Sequence, residues 1–106
     1  MTHEQLIKTL KGIQHIVINN CYGGFSLSER AELRYREMAG ITDPNWYNRD
    51  IARDDPYLVQ IVREMGTDAN GSCAELKIVE VPADVEWQIE EYDGNEWVAE
   101  VHRTWR

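Results

Sequence analysis

The chain has 106 residues, of which 42% are hydrophobic and 28% charged, a composition that suits one globular domain (1–106) and excludes a disordered chain. A formal net charge of -8 excludes a DNA or RNA duplex as partner, because phosphate backbones need a basic footprint. No apolar run approaches the ~20 residues that cross a bilayer, and residues 1–5 lack the basic and apolar regions of a secretory signal, so a cytoplasmic protein with no membrane partner is expected.

In chain order, Thr2 to Gln5 has capping-box form, and Leu6, Ile7 and Leu10 share one helical face. A short helix is predicted over 3–11, closed by Gly12, so that residues 1–12 form an N-terminal helical extension. Residues 13–18, Ile-Gln-His-Ile-Val-Ile, are rich in β-branched side chains and predict a buried strand. Asn19 to Phe25 form a glycine-containing loop, and Ser26-x-x-Glu29 predicts a helix from about Leu27 to Ala39, stopped by Gly40. Leu27, Ala31, Tyr35 and Met38 make its core stripe. Residues 41–55 are irregular, with a turn at Pro44-Asn45 and a short strand predicted over 46–51. Asp55 before Pro56 reads as an N-cap with proline in the first turn, starting a helix over 56–65 with Leu58, Ile61, Val62 and Met65 inward.

From Cys73 the hydrophobic period changes from about 3.6 to 2. Strands are predicted through Leu76 and Ile78, through Val85, Trp87 and Ile89, and through 96–105, with Asp93-Gly94 as a hairpin turn. Trp87 and Trp97, both mid-strand, are assigned to the core. The fold expected is α+β: a mostly antiparallel sheet with a C-terminal β-meander, joined by the strand at 13–18 and packed against two to three helices. A terminal edge strand bearing Trp97, Val101 and Trp105 invites pairing with a second copy, so a homo-oligomer is expected.

The candidate site is the loop Asn19, Asn20, Cys21, Tyr22, Gly23, Gly24 and Phe25. A glycine loop aimed at a helix N-terminus can offer backbone N–H groups to an anion. It lacks the Walker and Rossmann patterns, and a turn that needs glycine for its backbone angles explains the same residues. Eight of the eleven basic residues are arginines, the type suited to bidentate phosphate contacts. Arg49, Arg53 and Arg103 lie in or beside aromatic segments with Trp46, Tyr47 and Trp105, a combination that suits a purine nucleotide. Pairing of Arg49 and Arg53 with Asp50, Asp54 and Asp55 is the competing explanation. Cys21 and Cys73 lack metal-ligand spacing, so no zinc site and no cofactor are expected, and both are read as free thiols. A thiol nucleophile at Cys21, with His15 or His102 as base, is the weaker catalytic alternative. The hairpin glutamates lack a second ligand type and do not predict a metal site.

The stretch Ile18-Asn-Asn-Cys-Tyr-Gly-Gly-Phe-Ser-Leu-Ser28 resembles the hallmark of a family of small, mostly uncharacterised proteins encoded by bacteriophages and some large viruses. Arg49–Pro56, Leu76–Pro82, Asp84–Trp87, Glu91–Trp97 and His102–Trp105 are similar to further stretches of that family, which together span the chain from residue 15. The resemblance implies a viral origin and action in the cytoplasm of an infected cell, and it supplies no catalytic residues. Taken together, the expectation is a non-enzymatic accessory protein that sequesters a small phosphorylated or nucleotide-like molecule, such as a cyclic nucleotide defence signal. The alternative is an acidic inhibitor that binds a basic host protein.

Overall fold

A computed structural model describes residues 12–46, 48 and 51–101. The predicted helix at 3–11 therefore lies outside the described residues. Strand β1 spans Ile13–Asn19, helix α1 Glu29–Ala39, helix α2 Pro56–Met65, and a 3-10 turn follows at Gly66–Ala69. Strands β2 (Leu76–Pro82), β3 (Trp87–Tyr92) and β4 (Asn95–Glu100) complete the order. This is the expected α+β class, with two helices and four antiparallel strands among the described residues.

The strands divide between two sheets. β1 pairs with β2, Val17 standing opposite Ile78, and β3 pairs with β4, Ile89 standing opposite Val98. The C-terminal strands are thus not one continuous ladder, because β2 takes its partner from the start of the chain. The break comes at Pro82, which ends β2, and the Val85 N–H closes the following turn on the Pro82 carbonyl.

Alternation along β1 gives it two buried faces. Val17, with Leu76 and Ile78 of β2, packs into the helical core of Leu27, Ala31, Tyr35, Leu58, Val59, Ile61 and Val62. Ile16 and Ile18 point the opposite way and are also buried. On that side lies the β3–β4 ribbon, where Gln14 Oε1 accepts from the Trp87 indole at 2.9 Å. The Gln14 amide donates to the Pro82 and Val85 carbonyls, both at 3.0 Å, and so fixes the β2–β3 turn as well. The β1–β2 sheet is therefore a middle layer between helices and ribbon.

Both helices begin and end as their local chemistry directs. Asp55 caps α2 by accepting from the Tyr57 N–H at 2.8 Å and the Leu58 N–H at 3.3 Å, ahead of Pro56. Gly40 ends α1 in the left-handed conformation. The start of α1 differs from the prediction: Ser28, not Ser26, is the N-cap and accepts from the Ala31 N–H. Ser26 is held extended, its carbonyl accepting from the Gly71 N–H, and Leu27 bridges Asn70, so the helix begins only after that pairing ends.

The predicted strand at 46–51 does not form among the described residues. Trp46 stacks on Tyr35 with ring centroids 5.3 Å apart, and Ile51 is buried in the core. The last strand ends at Glu100, and His102 to Arg106 lie outside the described residues. Trp97 is not in the core: it is 45% exposed on the outer face of the ribbon. No helix among the described residues is long and apolar enough to cross a membrane.

Candidate functional site

The loop after β1 is built around Asn19, whose side chain is completely buried. Its amide donates to the carbonyls of Cys21 and Gly94, both at 2.7 Å, and its Oδ1 accepts from the Glu75 N–H at 2.8 Å. One side chain thereby ties together its own loop, the approach to β2 and the tip of the β3–β4 hairpin. The neighbouring backbone repeats the pattern. Asn20 N–H donates to the Glu75 carbonyl and Gly23 N–H to the Asp93 carbonyl.

The glycines serve this contact. Gly23 has φ of +119°, and a Cβ there would sit 2.8 Å from both the Cβ and the carbonyl oxygen of Cys73. A Cβ on Gly94 would run into the backbone of Gly24. Two chain segments meet backbone to backbone, which only residues without side chains permit. Gly24 also has a positive φ, so the loop needs glycine on conformational grounds too.

Arg53 approaches from the other side. Its guanidinium lies 3.8 Å over the Phe25 ring and forms a bidentate pair with Glu96, Nη1 to Oε1 at 2.5 Å and Nη2 to Oε2 at 2.9 Å. Glu96 Oε1 also accepts the Asn19 N–H at 2.8 Å, and the Val17 N–H donates to the Arg53 carbonyl at 2.8 Å. Arg53 is thus matched by a carboxylate 10% exposed and not by Asp54 or Asp55.

Of the predicted site residues, the structure brings Asn19, Cys21, Gly23, Gly24, Phe25 and Arg53 together beside the hairpin tip. Asn20 and Tyr22 face outward, Tyr22 being 63% exposed. Arg49, Arg103 and Trp105 lie outside the described residues. Cys21 and Cys73 are both free thiols, the first half-buried and the second exposed. Among the described residues no cluster of three His, Cys, Asp or Glu side chains could hold a metal ion.

Glu96, Gly94 and Gln14 each hold one layer to another, a role the sequence did not assign to them; Glu96, read there as one of the solvated hairpin glutamates, is turned in to Arg53. Only Gly94 carried a local signal, as part of a turn, and a turn does not say what it touches. Concave surfaces lie apart from the loop, two of them against the β1–β2 sheet. A groove of about 540 Å³ between β1 and α2 is lined by Ile13, His15, Asp54, Val59 and Arg63 among others. A second, of about 350 Å³, lies between β2 and the ribbon.

The ribbon has an unbalanced outer surface. From Asp84 to Glu100 the sequence contains seven carboxylates and no Lys, Arg or His. Glu96 alone among them is turned in to Arg53; Asp84, Glu86, Glu90, Glu91, Asp93 and Glu100 are exposed. On the face that carries Glu90 stand Tyr92 at 66% exposure and Trp97, whose indole N–H donates to Glu90 across the strands at 3.1 Å, while Glu91 and Glu100 lie on the opposite face with Trp87. Such a surface can make cation contacts at its carboxylates and apolar or cation–π contacts at its rings. No family model matches this chain, and no curated protein or solved structure matches it.

Proposed function

We propose that this protein is a non-enzymatic binding module that presents the outer face of the β3–β4 ribbon to a basic protein. The observation that carries the reading is the pairing of two exposed aromatic rings with Glu90 on one face of a ribbon whose exposed charged side chains are all carboxylates. Aromatic anchors give affinity at the centre of an interface, while surrounding charge of one sign speeds encounter and selects the partner. The resemblance to virus-encoded proteins makes a host protein the natural target. The test is affinity capture from a bacterial lysate at low and moderate salt, with a Tyr92→Ser/Trp97→Ser double variant beside the parent. A partner that weakens with salt and is lost in the double variant supports the reading. Absence of a salt-sensitive partner, or its retention by the variant, refutes it.

A second reading, sequestration of a small phosphorylated or nucleotide-like molecule, is favoured by the groove between β1 and α2. Arg63 there has no ion pair among the described residues and lies with His15 and the Gln60 amide along one cleft. Incubation with cyclic nucleotides, followed by denaturation and recovery of the small molecule, tests it. Intact ligand supports capture, and an altered product would make the protein an enzyme.

A further inference from the structure

Among the described residues β2 is paired on one edge only. In an antiparallel ladder, alternate residues direct their backbone groups toward and away from the partner strand. Opposite one another stand Asn19 and Leu76, Val17 and Ile78, and His15 and Glu80. These are the pairs that point away: Val17 N–H leaves β2 for the Arg53 carbonyl, and Leu76 N–H leaves β1 for Asn70 Oδ1 at 2.9 Å. By the same alternation the N–H and C=O groups of Ile78 and Glu80 face outward, and among the described residues none of the four has a partner. Proteins blunt such edges with lysine or proline. Here Lys77 and Pro82 stand toward the two ends and leave the backbone between them open.

Beside this edge, on the ribbon side, runs the groove of about 350 Å³. Its walls are Val79, Val81, Pro82, Val85, Trp87 and Val98, and the exposed carboxylates Glu80 and Glu100 complete its lining among the described residues. No basic residue among those described lines it.

We propose that the free edge of β2 accepts an extended segment of a partner protein as an added strand, apolar at alternate positions and flanked by cationic residues. Every second side chain of such a strand would enter the valine-lined groove, and its backbone would pair with Ile78 and Glu80. Glu80 and Glu100 call for the cations. A second copy of this chain fits less well, because it would bring its own Glu80 to the same short edge together with a further net charge of -8. The site does not depend on the aromatic face: Trp87 lies on the opposite face of the ribbon from Trp97, so each proposal can fail alone.

The probe is a fluorescein-labelled peptide, acetyl-Arg-Val-Thr-Val-Arg-Val-Thr-Arg-amide, followed by fluorescence anisotropy. Two further peptides are N-methylated, one at the valines and the other at the intervening residues. An added strand turns only one set of its N–H groups toward β2, so one methylated peptide should bind about tenfold more weakly and the other nearly as well as the parent. Glu80→Pro removes an outward donor without touching the β1 ladder and should weaken the parent peptide about tenfold, with circular dichroism unchanged. Trp97→Ser should leave peptide affinity as it is. No saturable binding up to about 1 mM, or equal binding by all three peptides, overturns the proposal. A dimer by light scattering that the peptide cannot dissociate, and that Glu80→Pro can, assigns the edge to a second copy and overturns it too.

Discussion

Replacing Asn19 by alanine should unfold much of what joins the layers of this protein. The substitution removes two donated hydrogen bonds of 2.7 Å and one accepted bond of 2.8 Å from a side chain with no solvent exposure. A typical intramolecular hydrogen bond contributes about 1 kcal/mol net, and a buried group left without a partner costs about 1–3 kcal/mol. The abandoned carbonyls of Cys21 and Gly94 and the Glu75 N–H are only partly buried, so water can reach some of them and the lower figure applies to each. The sum is about 3 kcal/mol, a large share of the roughly 5–15 kcal/mol that holds a domain folded. In a domain of this size that corresponds to a fall in Tm of roughly 10–20 °C. Urea denaturation followed by tryptophan fluorescence measures it, since Trp87 sits at the layer boundary. Asn19→Asp should be no better, because a carboxylate would face two carbonyl oxygens. A loss below about 1 kcal/mol in the alanine variant would refute the account of Asn19 as the tie between loop and hairpin.

Three more perturbations probe the same construction. Glu96→Gln leaves the Arg53 guanidinium in place beneath the hairpin without its counter-charge, and a destabilisation of roughly 2–4 kcal/mol in the same urea assay is expected. Gly94→Ala places a Cβ against the Gly24 backbone at φ of +87°; the expected loss is more than about 2 kcal/mol, and a wild-type denaturation midpoint would show that the two turns do not meet. Tyr35 donates to Asp55 at 2.9 Å, and burial, reinforced by that carboxylate, pushes its hydroxyl up to about 12. The neutral phenol is therefore favoured in the folded state: its contribution is complete below pH 10, where an unfolded tyrosine begins to ionise, and disappears as pH climbs toward 12. Thermal melts across that range should fall more steeply for the parent than for Tyr35→Phe; parallel curves would contradict the assignment.

The elements that could be read in the sequence are those whose signals are local. Asp55-Pro56 caps α2 where the two residues say it should, Gly40 stops α1, and the valine and isoleucine alternation locates β1 and β2, because caps and periodicity are decided within a few residues. The capping-box pattern at Ser26 placed the start of α1 two residues too early, because Leu27 is drawn into a distant pairing with Asn70 and Ser28 becomes the cap. Trp46 was drawn from a predicted strand to the Tyr35 ring by stacking, an interaction that strand propensity does not contain. Tertiary structure alone decided what the loop at 19–25 faces. Its two asparagines and two glycines would read the same around an anion or against a hairpin tip, since both demand backbone donors and room for close approach. In this protein Asn19 is taken by Gly94 and Glu75, Gly23 by Asp93, and Arg53 by Glu96, partners 43 to 75 residues away in the chain. The same long-range packing chose which edge of β2 is covered by β1 and which has no partner among the described residues, because strand order depends on how three layers share one core and not on any residue of β2 itself.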